Sequence, residues 1–193
     1  MVIDVAVAGI GGSEYLGYRN PGLRPLPNIM GHGIAGVAPD GGRVAVNPLR
    51  SCGACAFCRR GQAQLCDSWS LIGVQSPGGF AQKLAVPEDS LVALPDSITW
   101  DQASFIEPFA NAVNAWDLAQ ADPSAAIAVL GAGSLGLGVV ASASAAGCKI
   151  IQVSDNSAPR LAAAATLGAE AISKQMTDTY DIVFDTVGSA ESR

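Results

Sequence analysis

Residues 125–136 read Ala-Ala-Ile-Ala-Val-Leu-Gly-Ala-Gly-Ser-Leu-Gly, and the way they fold decides the class of the protein. The first six form a short apolar run of strand type. The small-residue segment 134–146 that follows has the length of a helix and ends at Gly147. At the junction, Gly131, Gly133 and Gly136 match Gly-x-Gly-x-x-Gly. In a strand–turn–helix unit each glycine has its own task. Gly131 makes the tight turn, Gly133 lets a pyrophosphate approach the backbone, and Gly136 lets the helix pack on the strand. The N–H groups that open the helix, beginning at Ser134 and Leu135, offer partial positive charge to a phosphate. Asp155, at the end of the next apolar run, 149–154, is placed to accept hydrogen bonds from ribose hydroxyls. Its charge disfavours a 2′-phosphate, so the motif predicts NAD rather than NADP. Arg160, five residues on, is the side chain that could instead serve a phosphate. A chain with 22 glycines also produces this pattern by chance, and the glycines would then serve packing alone.

Working outward, 159–167 has helical spacing closed by Gly168, and 180–186 is another strand-like run. Alternating β and α segments signal a parallel doubly wound sheet, which here would stop after roughly four strands. Upstream, 101–120 has helical spacing through Ala103, Ile106, Ala110, Val113, Ala115 and Leu118. Before Pro95 the pattern changes. Residues 1–8 read as a strand running into Gly9-Ile-Gly-Gly12, and a proline-rich loop passes Pro21, Pro25 and Pro27. Short strand-like runs at 33–38, 43–47, 79–86 and 90–94 are separated by turns rich in Pro, Gly and Asp. The expected organisation is an irregular β-rich domain over 1–110, with a loop excursion at about 50–68, then an α/β domain over 111–193.

Hydrophobic residues make up 49% of the 193, yet no stretch approaches the roughly 18 uncharged apolar residues of a membrane span. A net charge of −6 argues against a nucleic-acid surface. Met1 leads directly into the first strand without a basic segment, so no secretory leader is expected. Five cysteines, four of them within 52–66, suit a reducing compartment better than a disulfide framework. The expectation is a cytoplasmic protein with a small-molecule ligand, no nucleic-acid partner and no membrane.

Cys52, Cys55, Cys58 and Cys66 follow the pattern C-x2-C-x2-C-x7-C. Four thiolates in one short loop can close a tetrahedron around Zn²⁺, and a closed all-cysteine shell indicates a structural rather than a catalytic metal. Iron–sulfur ligation is the rival, but the ferredoxin run places its fourth cysteine after three residues and before a proline. Here Asp67 follows Cys66. Cys148 has nothing near it in sequence to activate it and reads as a buried core residue.

These motifs, in this order, resemble the zinc-containing medium-chain dehydrogenase/reductase family, above all its sorbitol and threonine dehydrogenase branch. Gly9-Ile-Gly-Gly-Ser-Glu14 resembles the family's Gly-Ile-Cys-Gly-Ser/Thr-Asp, and Gly31-His32-Gly33 its Gly-His-Glu. Gly42-Arg-Val-Ala-Val-Asn-Pro48 and Gly78-Gly-Phe-Ala81 have counterparts, as do Ile106-Glu107-Pro108 and Leu167-Gly168-Ala169. The resemblance implies a GroES-like catalytic domain carrying a structural zinc lobe, followed by a partial Rossmann domain that binds NAD. It also implies interconversion of an alcohol or polyol and its carbonyl, and a homodimer or homotetramer. In the family a catalytic zinc binds the substrate oxygen, a serine or threonine relays its proton, and hydride passes to the nicotinamide.

The departures fall on that catalytic zinc. The ligating cysteine is replaced by Gly11 and the glutamate of Gly-His-Glu by Gly33. The resemblance leaves Ser13 at the relay position, with His32 and Glu107 as a residual zinc pair, fewer than the three protein ligands of catalytic sites. If the metal is absent, His32 or Ser13 must supply the general acid. Plainer readings stand beside these: His32 as a hydrogen-bonded core histidine, Glu107 as a charge on a helix start, and Ser13 as a turn former. Relative to the family the chain starts later and stops earlier, the expectation for a fragment. The enzymatic reading is therefore set against a non-catalytic, NAD-binding and zinc-stabilised remnant, and against a zinc-free reductase of conjugated carbonyls.

Overall fold

A computed structural model describes residues 1–20, 22, 24–172, 176 and 179–190. Pro21, part of the expected proline-rich loop, lies outside them. The described chain divides into two compact units, Met1–Glu107 and Pro108–Arg193.

In the first unit β1 (Val2–Gly9) leads into α1 (Gly12–Arg19), and β2 (Gly33–Val37) and β3 (Arg43–Val46) follow. The cysteine lobe is bounded by β4 (Leu49–Arg50) and β5 (Ser70–Leu71), which pair antiparallel, and contains the single turn α2 (Ala56–Arg59). After β6 (Lys83–Ala85) and β7 (Leu91–Ala93) come α3 (Trp100–Ala103) and the start of α4 (Ile106–Ala119), most of which belongs to the second unit. The main sheet has the order β6-β1-β2-β3-β7, every pair antiparallel. One face buries Ile3, Ile34, Val44, Val46 and Leu84 with Ile72 and Val86.

Three local features differ from the reading of the sequence. The stretch 12–19 is a helix, although its two glycines and lack of an apolar stripe give no periodic signal. Glu14 holds its first turn by accepting from the Gly11 N–H at 3.0 Å. The expected strand 79–86 pairs only over Lys83–Ala85. Upstream of that strand, the N–H groups of Gly78, Gly79 and Phe80 are given to the carbonyls of Ile29, Gly31 and Met30. The expected helix 101–120 is two helices. Thr99 and Gln102 cap α3 reciprocally, and the Ser104 hydroxyl closes it on the Asp101 carbonyl. The helix restarts at Ile106 with Pro108 in its first turn, where a missing N–H costs nothing.

The second unit continues with β8 (Ala126–Leu130), α5 (Ser134–Ala146), β9 (Ile150–Ser154), α6 (Ala158–Thr166), β10 (Glu170–Ile172) and β11 (Ile182–Asp185). The sheet order is β10-β9-β8-β11, all parallel. In chain order this is 3-2-1-4, the start of a Rossmann sheet, with its switch point between β8 and β11. The fold class expected from the sequence is the one observed. Gly147 ends α5 in the left-handed conformation, φ 90°. Ile127, Val129, Val139, Val140 and Val153 form the buried centre. Among the described residues no helix is long and apolar enough to cross a membrane.

Candidate functional site

The sulfurs of Cys52, Cys55, Cys58 and Cys66 all lie within 4.8 Å of one another, with Cys52 and Cys58 at 4.0 Å. A zinc tetrahedron with bonds of about 2.3 Å has edges near 3.8 Å, so four sulfurs at this spacing fit the ion. Backbone N–H groups point at the sulfurs: Ala54 and Cys55 donate to Cys52, Cys58 to Cys55, and Cys52 and Ser68 to Cys66. N–H groups of Cys58 and Asp67 bring the Cys55 thiol down to about 6, and those of Ala54 and Cys55 lower Cys52. Burial pushes Cys58 up to about 11.

At the end of β8 the glycine turn takes the shape the sequence implies. Gly131 has φ +95°, a conformation L side chains rarely adopt. A Cβ on Gly136 would come within 1.9 Å of the Gly131 carbonyl oxygen, so α5 can approach the strand only with glycine there. A Cβ on Gly133 would meet nothing within 4 Å. Gly133 is the N-cap of α5 and no side chain caps this end, which leaves the N–H groups of Ser134 and Leu135 at an open helix start. Asp155 lies beside the turn and accepts from the Ala132 N–H at 2.8 Å and the Ser157 N–H at 2.7 Å. Each oxygen accepts one backbone hydrogen bond, leaving acceptor capacity on both. Arg160, 61% exposed, comes within 3.7 Å of the same carboxylate. Thr186, beyond β11, donates to the Leu130 carbonyl at 2.8 Å and lies by Gly131, which places the turn at the switch point. Thr186 escapes sequence reading because no motif marks it.

The third cluster is built around His32. The backbone bonds from Gly78–Phe80 to residues 29–31 fix the residue ahead of β2. Gly9 and Gly33 pair across β1 and β2, and their bare backbones admit the Ser104 carbonyl between α3 and α4. That approach delivers Glu107, whose carboxylate stands 3.6 Å from His32 Nε2. The Ser13 hydroxyl lies 3.4 Å from the same nitrogen. His32 Nδ1 pairs with Glu14 Oε1, both atoms buried and facing only each other. The second Glu14 oxygen accepts from the Gly11 N–H and, at 3.1 Å, from Ser13 Oγ. Arg24 braces the cluster, donating to the carbonyls of Ser13 and Gly73 at 2.8 and 2.6 Å.

Burial opposes the Glu14 charge. The His32 hydrogen bond and charge outweigh it, helped by the backbone N–H groups, and bring the carboxyl down to about 2. The Glu14 bond raises His32 above its ordinary value against burial, and the Glu107 charge adds to the rise. Ser13, His32 and Glu107 are thus together, and Glu14 and Arg24 join them. Glu14 could have been found from its place at the aspartate of the Gly-Ile-Cys-Gly-Ser/Thr-Asp pattern, whereas Arg24 carries no local signal. A catalytic zinc does not fit. Among the described residues only the four cysteines bring three or more metal-binding atoms within 4.8 Å of one another, and Gly11 and Gly33 have no side chain to offer.

Residues 1–96 match the alcohol dehydrogenase GroES-like domain family. The sorbitol dehydrogenase of Bacillus subtilis (strain 168) is 33% identical over 184 residues, 88% of this chain and 52% of that enzyme. The L-threonine 3-dehydrogenase of Alteromonas mediterranea is 31% identical over 180 residues, covering 86% of this chain and 52% of that one. Among solved structures, the alcohol dehydrogenase RspB of Escherichia coli CFT073, complexed with the cofactor NADH, superposes with a TM-score of 0.79 at 30% identity. That match covers 97% of this chain and 55% of RspB. The chain therefore spans about half the length of these relatives. With the antiparallel N-terminal sheet, the cysteine lobe and the parallel 3-2-1-4 sheet in one chain, the protein belongs to the zinc-containing medium-chain dehydrogenase/reductase family.

Proposed function

We propose that this chain is part of an NAD(H)-dependent oxidoreductase that interconverts an alcohol or polyol and its carbonyl, with one structural zinc and a depleted catalytic-zinc site. The observation that carries the proposal is the contrast within the glycine turn. Gly131 and Gly136 are crowded while the side of Gly133 is open, beside an uncapped helix start and Asp155. The turn from Gly131 to Gly136, with the N–H groups of Ser134 and Leu135, would hold a pyrophosphate. The remaining acceptor capacity of Asp155 would hold a ribose diol. Arg160 already leans toward Asp155, which favours the unphosphorylated cofactor. When bound, the nicotinamide supplies or accepts the hydride. Cys52, Cys55, Cys58 and Cys66 hold the structural zinc, which shapes the lobe and takes no part in chemistry. Ser13, His32 and Glu107 face the reacting oxygen, and the substrate class follows from the sorbitol and threonine dehydrogenase relatives.

Calorimetric titration with NADH and NADPH, followed by a polyol panel assayed with NAD⁺, tests this reading. NADH should bind at least tenfold more tightly than NADPH, and equal binding would refute the role of Asp155. A second reading, a non-catalytic NAD-binding remnant, is favoured by one observation, the two glycines at ligand positions. Reduction of NAD⁺ by any member of the panel eliminates it.

A further inference from the structure

Strands β3 and β7 pair as far as Val46 and Leu91, and the Asn47 N–H gives one more bond to the Ser90 carbonyl at 2.8 Å. Beyond that bond the two chains part. Pro48 has no N–H with which to extend the ladder, and the Pro87 carbonyl accepts from the Ser90 N–H at 3.2 Å, closing a single 3-10 turn, Glu88–Ser90. The fork holds a cavity of about 310 Å³, at the lower end of the range for small-molecule sites, about 300–1,000 Å³. Arg50 lines it from one arm and Asp89 from the other, with Leu49 and Pro87 as apolar surface. Among the described residues the side chains of Arg50 and Asp89 pair neither with each other nor with any other group. Ser90 lines the same space at 6% exposed, and its hydroxyl has no hydrogen-bond partner among the described residues. The Asn47 side-chain oxygen accepts from the Leu49 N–H at 3.1 Å, which leaves its NH₂ group to the cavity. No residue of the His32 cluster or of the glycine turn takes part.

We propose that this cavity binds a small zwitterion of the α-amino acid class, its carboxylate on Arg50 and its ammonium on Asp89. The two unpaired charges select the ligand. Phosphate would gain Arg50 but face the Asp89 carboxylate, and a simple amine would gain Asp89 but face the guanidinium. A neutral polyol would leave both charges without an ionic partner. A ligand with one charge of each sign on a short scaffold satisfies both walls. The guanidinium fork matches a carboxylate bidentately, and the Asn47 NH₂ group adds a donor on the same arm. A buried hydroxyl without a partner is costly, and a bond from the ligand to Ser90 removes that cost. Leu49 and Pro87 offer a small aliphatic side chain a surface with no third charge. This site stands apart from the oxidoreductase reading and does not depend on it.

Titration of the whole chain, followed by amide chemical shifts, tests the assignment. L-Alanine and L-serine should move the signals of 49–51 and 88–90 and bind about tenfold or more tightly than acetate, ethylamine, phosphate or glycerol. Absence of binding, shifts confined to other segments, or any one of the four controls binding as tightly as the amino acids overturns the proposal. Arg50→Gln and Asp89→Asn change exposed side chains, so both variants should fold like the parent. The first should reduce amino-acid binding to the level of ethylamine, and the second to the level of acetate. Unchanged affinity in either variant also overturns the proposal. These readouts need no nucleotide. Failure to bind NADH would sink the oxidoreductase reading alone.

Discussion

Glu14 carries its charge into a position only 2% exposed, and it stays ionised because His32, Ser13 and the Gly11 N–H converge on it. The pH dependence follows from the two directions of shift. The Glu14 carboxyl is depressed from 4.5 to about 2, so its contribution to stability is complete above 4.5 and is lost as pH falls toward 2. His32 is raised above 6.5, so its contribution is complete below 6.5 and is lost as pH rises through the raised value. The two overlap between 4.5 and 6.5. Breaking a buried pair by removing one partner costs about 3–5 kcal/mol. Glu14→Gln should therefore destabilise most inside that window, by roughly 3 kcal/mol in urea unfolding. The penalty should shrink at alkaline pH, and one that stays flat with pH would show that the pair is not what Glu14 contributes.

Among the elements, the glycine turn separates folding from binding. Gly133→Ala puts a methyl group into open space and should fold like the parent, yet weaken NADH binding at least tenfold by blocking close approach of the pyrophosphate. Gly136→Ala drives a Cβ to 1.9 Å from the Gly131 oxygen and should cost about 1–3 kcal/mol or more in stability, read by thermal unfolding. The apolar runs of β8 and β9 and the small-residue helix α5 closed by Gly147 were legible within a residue or two. The break between α3 and α4 was not, because apolar spacing continues through it while the Ser104 hydroxyl turns back on Asp101. Helix α1 has no stripe, and β10 is three residues long, too short for any period to show.

The whole molecule keeps two separate apolar cores, one centred on Ile3, Ile34 and Val46 and one on Ile127, Val129 and Val153. Ligands that bind only the folded state should raise stability by mass action. Stripping zinc with a chelator should lower the melting temperature and release the lobe between β4 and β5, seen as faster amide exchange over 49–71. NADH at a hundred times its Kd should add about 2.7 kcal/mol. NADPH at the same concentration should add less, because Asp155 faces the ribose side of the turn. Equal shifts from the two nucleotides would argue that Arg160, not Asp155, governs the choice.

What the sequence determined by itself was whatever is encoded over short stretches. The cysteine spacing, the strand–glycine–helix unit with its acid, and the loss of two ligand side chains at Gly11 and Gly33 are all local in the chain. The partners of His32 were decided by tertiary structure. Glu14 and Glu107 reach that ring only because β1 pairs with β2, residues 78–80 tie down 29–31, and two bare glycines admit the Ser104 carbonyl, while Arg24 is tied to the carbonyls of Ser13 and Gly73. The protonation of the histidine depends on those contacts, since charge in a buried site is set by what surrounds it in space.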